Sequence, residues 1–195
     1  TVAKFWEEWG AGVVSGDEMG RRALEKDPHL RKALANHFSS DILLPDGSIH
    51  RQRLAEVAFS SSRSARLLTE LTFPTLYRLA WEEMGKLGLN HNIVVFDAAL
   101  IMEWEVESDF DYIVAVIASY DRLVEHAVKK GLTPEEVSMR LNGQLPVSEK
   151  ARRAHRVITN DGTLDDLLHQ AKMVWEELLK WREEKGKSLK GREKG

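Results

Sequence analysis

Four short apolar runs, separated by longer stretches of helical periodicity, constrain the fold of this chain more than any other feature. The runs lie at residues 11–14, 93–97, 112–117 and 156–158. Continuously apolar strands are typical of a parallel sheet whose two faces are both covered by helices. Alternation of such strands with helices is typical of α/β folds. The sequence therefore predicts an α/β, three-layer parallel sheet with helices on both faces, in which all four strands lie parallel in one sheet.

The intervals between these runs differ in length and divide the 195-residue chain into regions of a single domain (1–195). Residues 27–91 are almost entirely helical in period and form an inserted helical block, within which Pro74 is expected to break or kink a helix. A second interval, 119–150, follows the third strand. The basic, glycine-rich stretch 183–195 is expected to be a solvated tail.

Composition excludes several classes of protein. The chain has 28 basic and 31 acidic side chains, a formal net charge of -3, which argues against nucleic acid as the main partner. No apolar run reaches the roughly 18 to 20 residues that cross a bilayer, and the first residues lack the pattern of a signal peptide. We therefore expect a cytoplasmic protein with no membrane partner. The absence of cysteine excludes disulfides and thiolate metal sites, and the oligomeric state is left open.

Two carboxylates follow the first two apolar runs. Asp17 and Asp97 each lie at the carboxyl end of a predicted strand, the edge at which open α/β sheets bind ligands. Such a pair could supply a general base and a ligand for a metal ion or its waters. Alternatively, Asp17 caps a helix and Asp97 only ends a strand. The basic residues between Arg122 and Arg156 are similarly open to two interpretations, a phosphate-binding lid or a solvated charged face.

Motifs along the chain carry a resemblance to a known family. They are TVA followed by GAGVVSGDEMGR near the start, ILLPDGSIHRQRL, LTFP, VVFDAALIME, KKGLTPEEVSMRLNGQLPVSEK and HRVITNDGTLDDL. In order and spacing, these resemble the motifs of the dephospho-coenzyme A kinase family from Thr1 to about Trp181. The chain is thus similar to P-loop kinases that phosphorylate the ribose 3′-hydroxyl of dephospho-CoA with ATP and Mg²⁺, giving coenzyme A in the last step of its synthesis.

The resemblance implies a role for each region and for specific residues. Residues 27–91 would bind the CoA moiety, and 119–150 would form the lid. Asp17 would accept the proton of the 3′-hydroxyl, Arg140 would neutralise charge on the transferring phosphoryl group, and Asp97 would lie close to Mg²⁺. The remaining implied contacts are with substrate at Arg21, Arg51, Phe73, Pro74 and Leu100, and with ATP at Thr1, Lys150, Asn160 and Gly162.

The sequence departs from the family pattern at several of these places. Serine replaces the first aspartate of the strand-end motif at Ser15, and the lid side carries Glu125 and Lys129, where the family usually has arginine. Lysine does not reproduce bidentate guanidinium contacts, and glutamate opposes them. The other departures are Phe73 for histidine, Ala99 for proline, Lys130 for aspartate, and His50 and His155 for aspartates.

The start of the sequence corresponds to the position directly after the family's phosphate-binding loop. Removing the first strand of such a sheet would leave its neighbours about 10 Å apart instead of about 4.8 Å. We therefore expect a first strand and a glycine-rich loop before Thr1, and no turnover of ATP without them.

Three hypotheses remain at this stage: an active dephospho-CoA kinase, a catalytically impaired paralogue that binds a CoA-like ligand or a protein partner, and a related small-molecule kinase with another acceptor.

Overall fold

The computed structural model describes residues 1–129, 131–134, 137–138, 141 and 144–192, with side chains as far as residue 185 in the last helix. In chain order, the elements discussed below are α1 (Val2–Glu8), β1 (Gly12–Ser15), α2 (Gly16–Lys26), α3 (Pro28–His37), a 3-10 turn (Ser40–Ile42), α4 (Arg51–Ala58), α5 (Ser62–Leu87), β2 (Val94–Asp97), a second 3-10 turn (Glu107–Asp109), β3 (Val114–Ile117), α6 (Tyr120–Val128), α7 (Val147–Arg153), β4 (Arg156–Thr159) and α8 (Leu164–Arg192).

The four predicted strands are present and form two parallel pairs. β1 pairs with β2, and β3 pairs with β4. The prediction of one hydrogen-bonded sheet is wrong for the described residues, because no ladder joins β2 to β3. A cavity of about 440 Å³ lies between the two pairs and is lined by residues of β2 and β3. The parallel directions and the α/β class are nevertheless as predicted.

Helices cover both faces of the first strand pair. Along β1, Val13 belongs to the apolar cluster beneath α1 and α8, whereas Val14 belongs to the cluster formed with α2 and α5. Val95 and Phe96 on β2 alternate in the same way. Since successive side chains of a strand point to opposite faces, continuous apolar strands here supply two cores at once. This is the three-layer arrangement predicted from the sequence.

The helical block between β1 and β2 is organised around α5, which packs against α2, α3, α4 and both strands. α5 continues for 26 residues through Pro74, so of the predicted break or kink the break does not occur. A proline inside a helix removes one backbone hydrogen bond. The second half of α5 buries Leu76, Leu79, Ala80 and Met84, and this packing holds the helix together beyond the proline.

The last helix fastens α1 to the second strand pair. The buried indole of Trp6 donates a hydrogen bond to the carbonyl oxygen of Ala171 (3.0 Å), and its ring stacks on Trp175. α8 also packs against β4. It continues to Arg192, so the predicted tail boundary at 183 falls inside a helix. Within the described part of the chain, no helix has both the length and the apolar character needed to cross a membrane.

Asp27 connects two helices of the block. One carboxylate oxygen accepts the backbone N–H of Leu30 (3.0 Å) and so caps α3, while the other accepts the hydroxyl of Thr75 on α5 (2.7 Å). These two hydrogen bonds hold the pKa of Asp27 below its usual value, and the bond from Leu30 has the larger effect. Because both bonds favour the ionised carboxylate, they stabilise the folded state only while Asp27 is charged.

We predict that Asp27→Ala lowers the free energy of unfolding by about 1 to 2 kcal/mol, since it removes a cap and a link between helices. The control is Ser61→Ala, which removes the cap of α5 (3.1 Å to the N–H of Ser64) but no contact to another helix, and should cost less. Because the folded-state pKa of Asp27 is depressed, its contribution is present above the unfolded pKa and is lost as pH falls through the folded pKa. In urea unfolding, the difference between wild type and Asp27→Ala should therefore shrink from about pH 7 to about pH 3. An equal difference at both pH values would contradict this account.

Candidate functional site

A cavity of about 930 Å³ lies at the carboxyl ends of β1 and β2. Its wall combines the start of α2, one face of α5, the segment after β2 and the segment before α7. The lining residues used below are Asp17, Arg66, Glu70, Phe73, Leu100, Glu103, Trp104, Gln144 and Leu145. The structure therefore brings together three of the predicted site residues, Asp17, Phe73 and Leu100, at the edge of the strands where the sequence placed the site.

The position of Asp17 follows from strand register and from a close approach at Gly16. Ser15 lies directly opposite Asp97 in the β1–β2 ladder. A Cβ atom added to Gly16 would lie 2.9 Å from the Cβ of Ala98, so only glycine lets α2 start this close to the end of β2. Asp17 is consequently held beside the segment that follows β2.

Asp17 is not the helix cap that the sequence left as an alternative. The N-cap of α2 is Ser15, whose hydroxyl accepts the N–H of Glu18 (3.4 Å). The Asp17 side chain is exposed and has no hydrogen bond or ion pair with the described residues. Its carboxylate is therefore available to accept a proton from a bound ligand.

Asp97 ends β2 with an exposed side chain, one strand away from Asp17. It does not line the cavity itself. Within the described ranges, no group of three or more histidine, aspartate or glutamate residues has the geometry of a metal site. Magnesium is commonly held by one or two carboxylates together with waters and substrate phosphates, so the lone carboxylate of Asp97 fits that ion better than one requiring a full protein cage.

An aromatic wall closes one side of the cavity. The rings of Phe73 and Trp104 lie 4.8 Å apart, and Phe73 also contacts Tyr77 (5.0 Å). Phe73, the departure from the family's histidine, thus contributes an apolar surface instead of a polar group. Pro74, the next residue, is exposed and does not line the cavity.

The two arginines predicted to contact substrate, Arg21 and Arg51, do not line the cavity. Arg21 on α2 is exposed, and Arg51 pairs with Glu25 (2.5 Å) at the start of α4. Among the residues that the structure describes, the cation that lines the cavity is Arg66, which sequence reasoning missed. The spacing of Arg66, Thr69 and Phe73 places them on one face of α5. That spacing was readable in the sequence, but which face of α5 borders the cavity was not.

Lys150 lies in a polar arrangement that we call the Glu103–Lys150 clasp. Its ammonium group pairs with Glu103 (2.8 Å) and donates to the side-chain oxygen of Gln144 and the carbonyl oxygen of Ala99 (2.9 Å each). Glu103 also accepts the N–H of Leu145 (2.8 Å). Both charged side chains are largely buried, 18% exposed for Lys150 and 13% for Glu103. The clasp therefore fixes the segment before α7 against the segment after β2, and an ATP contact by Lys150 stays a prediction.

Two other predicted ATP residues, Asn160 and Gly162, lie in a second group at the carboxyl ends of β3 and β4. The N–H of Asn160 donates to Ile117 (2.7 Å), and the Asp161 carboxylate accepts the N–H of Ser119 (2.7 Å). The hydrogen bond from the N–H of Ser119 is the main reason why the pKa of Asp161 lies below its usual value. Arg122 donates to the carbonyl oxygen of Gly162 (2.9 Å). The loop after β4 is thereby joined to the start of α6.

A side chain at position 162 would displace the carboxylate of Asp166. A Cβ atom there would lie 2.6 Å from a carboxylate oxygen of Asp166, which accepts the N–H of Thr163 (2.8 Å) at the start of α8. Thr1 precedes α1 without a side-chain cap. Arg140 lies outside the described residues. Its predicted role, like those of the other site residues, stays a prediction.

The clasp generates a quantitative prediction. Glu103→Gln and Lys150→Met should each lower the free energy of unfolding by about 1 to 3 kcal/mol, because each leaves the other charge largely buried without its partner. The double variant should cost less than the sum of the two. The matched control is the Glu149–Arg152 pair on α7 (2.6 Å), whose arginine is 72% exposed and whose disruption should change the free energy of unfolding far less. Urea unfolding of all variants measures these losses in free energy of unfolding. If the losses of the two single variants add up to that of the double variant, Glu103 and Lys150 act independently and the prediction is wrong.

A family model described as dephospho-CoA kinase matches residues 1–166. The curated dephospho-CoA kinase of Aquifex aeolicus is 30% identical to this chain over 92% of the chain and 91% of its own length. That of Corynebacterium glutamicum is 32% identical over 92% of the chain and 90% of its own length.

Solved structures agree with this match. A crystal structure from Thermus thermophilus has a TM-score of 0.72 at 30% identity and covers 91% of this chain and 90% of its own. A dephospho-CoA kinase from Campylobacter jejuni shares the fold at 20% identity, with a TM-score of 0.63 over 91% of this chain and 89% of its own. Together with the strand-edge cavity and its carboxylate, these matches show that the chain belongs to the dephospho-CoA kinase family.

Proposed function

We propose that this protein transfers the γ-phosphoryl group of ATP to the ribose 3′-hydroxyl of dephospho-CoA, giving coenzyme A and ADP. The observation that carries the proposal is the free carboxylate of Asp17 in the wall of a 930 Å³ cavity, at the strand edge of a chain that matches the family over residues 1–166. A cavity of this volume accommodates a nucleotide-sized ligand.

Asp17 would act as the general base. The 3′-oxygen forms a bond to the γ-phosphorus, the bond between that phosphorus and the β,γ-bridging oxygen breaks, and the hydroxyl proton passes to the Asp17 carboxylate. In phosphoryl transfer, most of the rate comes from positioning and from stabilising charge. The apolar wall of Phe73, Leu100 and Trp104 supports the positioning role, since it shapes one side of the cavity.

The contacts to ATP and Mg²⁺ belong to the same proposal. Asp97 would hold Mg²⁺ through its exposed carboxylate, and the ion would supply positive charge that stabilises the phosphates. Asn160 and Gly162 would border the adenine of ATP. Arg140 would neutralise charge on the transferring group, while Thr1 and Lys150 would lie towards the phosphates.

A second candidate function is supported by the charges on α6. Glu125 pairs with Lys129 (2.7 Å) and Arg122 (2.9 Å). These contacts lower the pKa of Glu125 to about 2, and the contact with Lys129 has the larger effect. Glu125 is therefore ionised throughout the physiological range. Two cations on the lid side are thereby partly neutralised, which favours a catalytically impaired member that still binds a CoA-like ligand.

Turnover distinguishes these candidates. For protein expressed from its complete reading frame, we predict that ATP, Mg²⁺ and dephospho-CoA yield coenzyme A and ADP in equal amounts, and that removing Mg²⁺ abolishes the reaction. Chromatography of both products is the measurement. Binding of dephospho-CoA without turnover would favour the impaired member, whereas turnover of another nucleoside or alcohol instead of dephospho-CoA would indicate a kinase with a different acceptor.

Asp17→Asn tests the base directly. Asparagine keeps the shape of the side chain but cannot accept the proton at neutral pH, so kcat should fall by roughly 100-fold or more. The Kd for dephospho-CoA and the thermal stability should change little, because the structure gives Asp17 no capping bond to lose. Glu18→Gln, the adjacent exposed carboxylate in the first turn of α2, is the matched control and should keep full activity. Wild-type turnover in Asp17→Asn would remove this residue from the mechanism.

A further inference from the structure

We infer that Arg66 binds the diphosphate group of the acceptor substrate and so selects a nucleoside that carries a diphosphate-linked arm over a simple nucleoside. This inference rests on the proposed function, because it assumes that the acceptor occupies the 930 Å³ cavity. It concerns a residue that neither the motifs nor the departures from them had singled out.

The charge of the cavity wall requires a cation for such a ligand. Among the described lining residues, three carry carboxylates, Asp17, Glu70 and Glu103, and one carries a positive charge, Arg66. Glu103 is already neutralised by Lys150 in the clasp. A diphosphate that entered this wall without a cation would lose hydration and face two carboxylates, which is unfavourable.

Arg66 is free to make that contact. Its side chain is exposed, and it has no hydrogen bond or ion pair with any residue that the structure describes. Glu70, four positions later on the same helix, does not pair with it, although this spacing would permit a salt bridge. Arg22 and Arg51, by contrast, are bound to Glu83 (3.3 Å) and Glu25 (2.5 Å). A guanidinium fork offers bidentate donors matched to phosphate oxygens.

The position of Arg66 along α5 also suits the ligand. Near Asp17, α2 contacts α5 at Leu76, where a Cβ atom on Gly20 would lie 3.5 Å from the leucine side chain. Arg66 is ten residues before Leu76, which is about 15 Å along the helix axis. The reacting hydroxyl would lie near Asp17 and Phe73, and the diphosphate would extend towards Arg66 along the same helix face.

The test compares Arg66→Ala, Arg66→Lys and the control Arg63→Ala by calorimetric titration with dephospho-CoA and with adenosine, which lacks the diphosphate. Arg63 lies on the same helix, is exposed and does not line the cavity. We expect Arg66→Ala to weaken dephospho-CoA binding by roughly 10- to 100-fold, the scale of a lost charge-assisted contact. The affinity of Arg66→Ala for adenosine should change less than about 2-fold. The affinities of Arg63→Ala for dephospho-CoA and for adenosine should also change less than about 2-fold.

Two further measurements separate substrate binding from a structural role. Arg66→Lys should recover part of the loss, because it retains the charge but not the bidentate geometry. In steady-state kinetics, Arg66→Ala should raise KM more than it lowers kcat, and its thermal unfolding should match wild type because Arg66 has no described partner to lose.

The outcomes distinguish failure of this inference from failure of the proposed function. If wild type and Arg66→Ala bind dephospho-CoA equally, or if the variant weakens adenosine to the same extent, the inference is wrong while the proposed function stands. If Arg63→Ala has the same effect as Arg66→Ala, the contact is general surface charge, and the inference is again wrong. If the wild type binds neither ligand, both the proposed function and this inference fail.

Discussion

The parallel register of β1 with β2 is the constraint on which the candidate site depends. It sets Ser15 opposite Asp97, and the close approach of Gly16 to Ala98 then starts α2 at the end of the neighbouring strand. Two carboxylates are consequently held at the same edge of the strand pair, although 80 positions separate Asp17 from Asp97 in the sequence. A shift of one residue in this register would turn the strand side chains to the opposite faces and would disrupt both apolar cores together with the site.

The helical block and the segment before α7 complete the site through one helix and one ion pair. α5 packs against β1, β2 and α2 on one side and presents Arg66, Thr69 and Phe73 to the cavity on another. The Glu103–Lys150 clasp fastens the opposite wall to the end of β2. A buried ion pair is weak evidence for stability as such, because desolvation offsets much of the attraction. Its clearer consequence here is positional, since it joins the segment before α7 to the segment after β2.

Sequence reasoning predicted the strands, the helical block and the edge at which the site lies, because apolar periodicity and strand-end carboxylates are local signals. It was wrong where tertiary packing overrode a local signal. Pro74 indicated a break or a kink, yet α5 continues without a break because its second half is buried. The alternative that Asp17 caps α2 was also wrong, because Ser15 is the cap and strand pairing decides where the helix begins.

The sequence by itself determined the α/β class, the two-sided burial of the strands and membership of the dephospho-CoA kinase family, because each of these depends on residue types and their order. The tertiary structure alone decided that the strands form two separate pairs, that Arg66 and not Arg21 or Arg51 lines the cavity, and that Lys150 is held by Glu103. The physical reason is that these outcomes depend on which faces of distant elements meet. Side-chain charge and hydropathy define a face of a helix, but only packing against the strands determines what that face contacts.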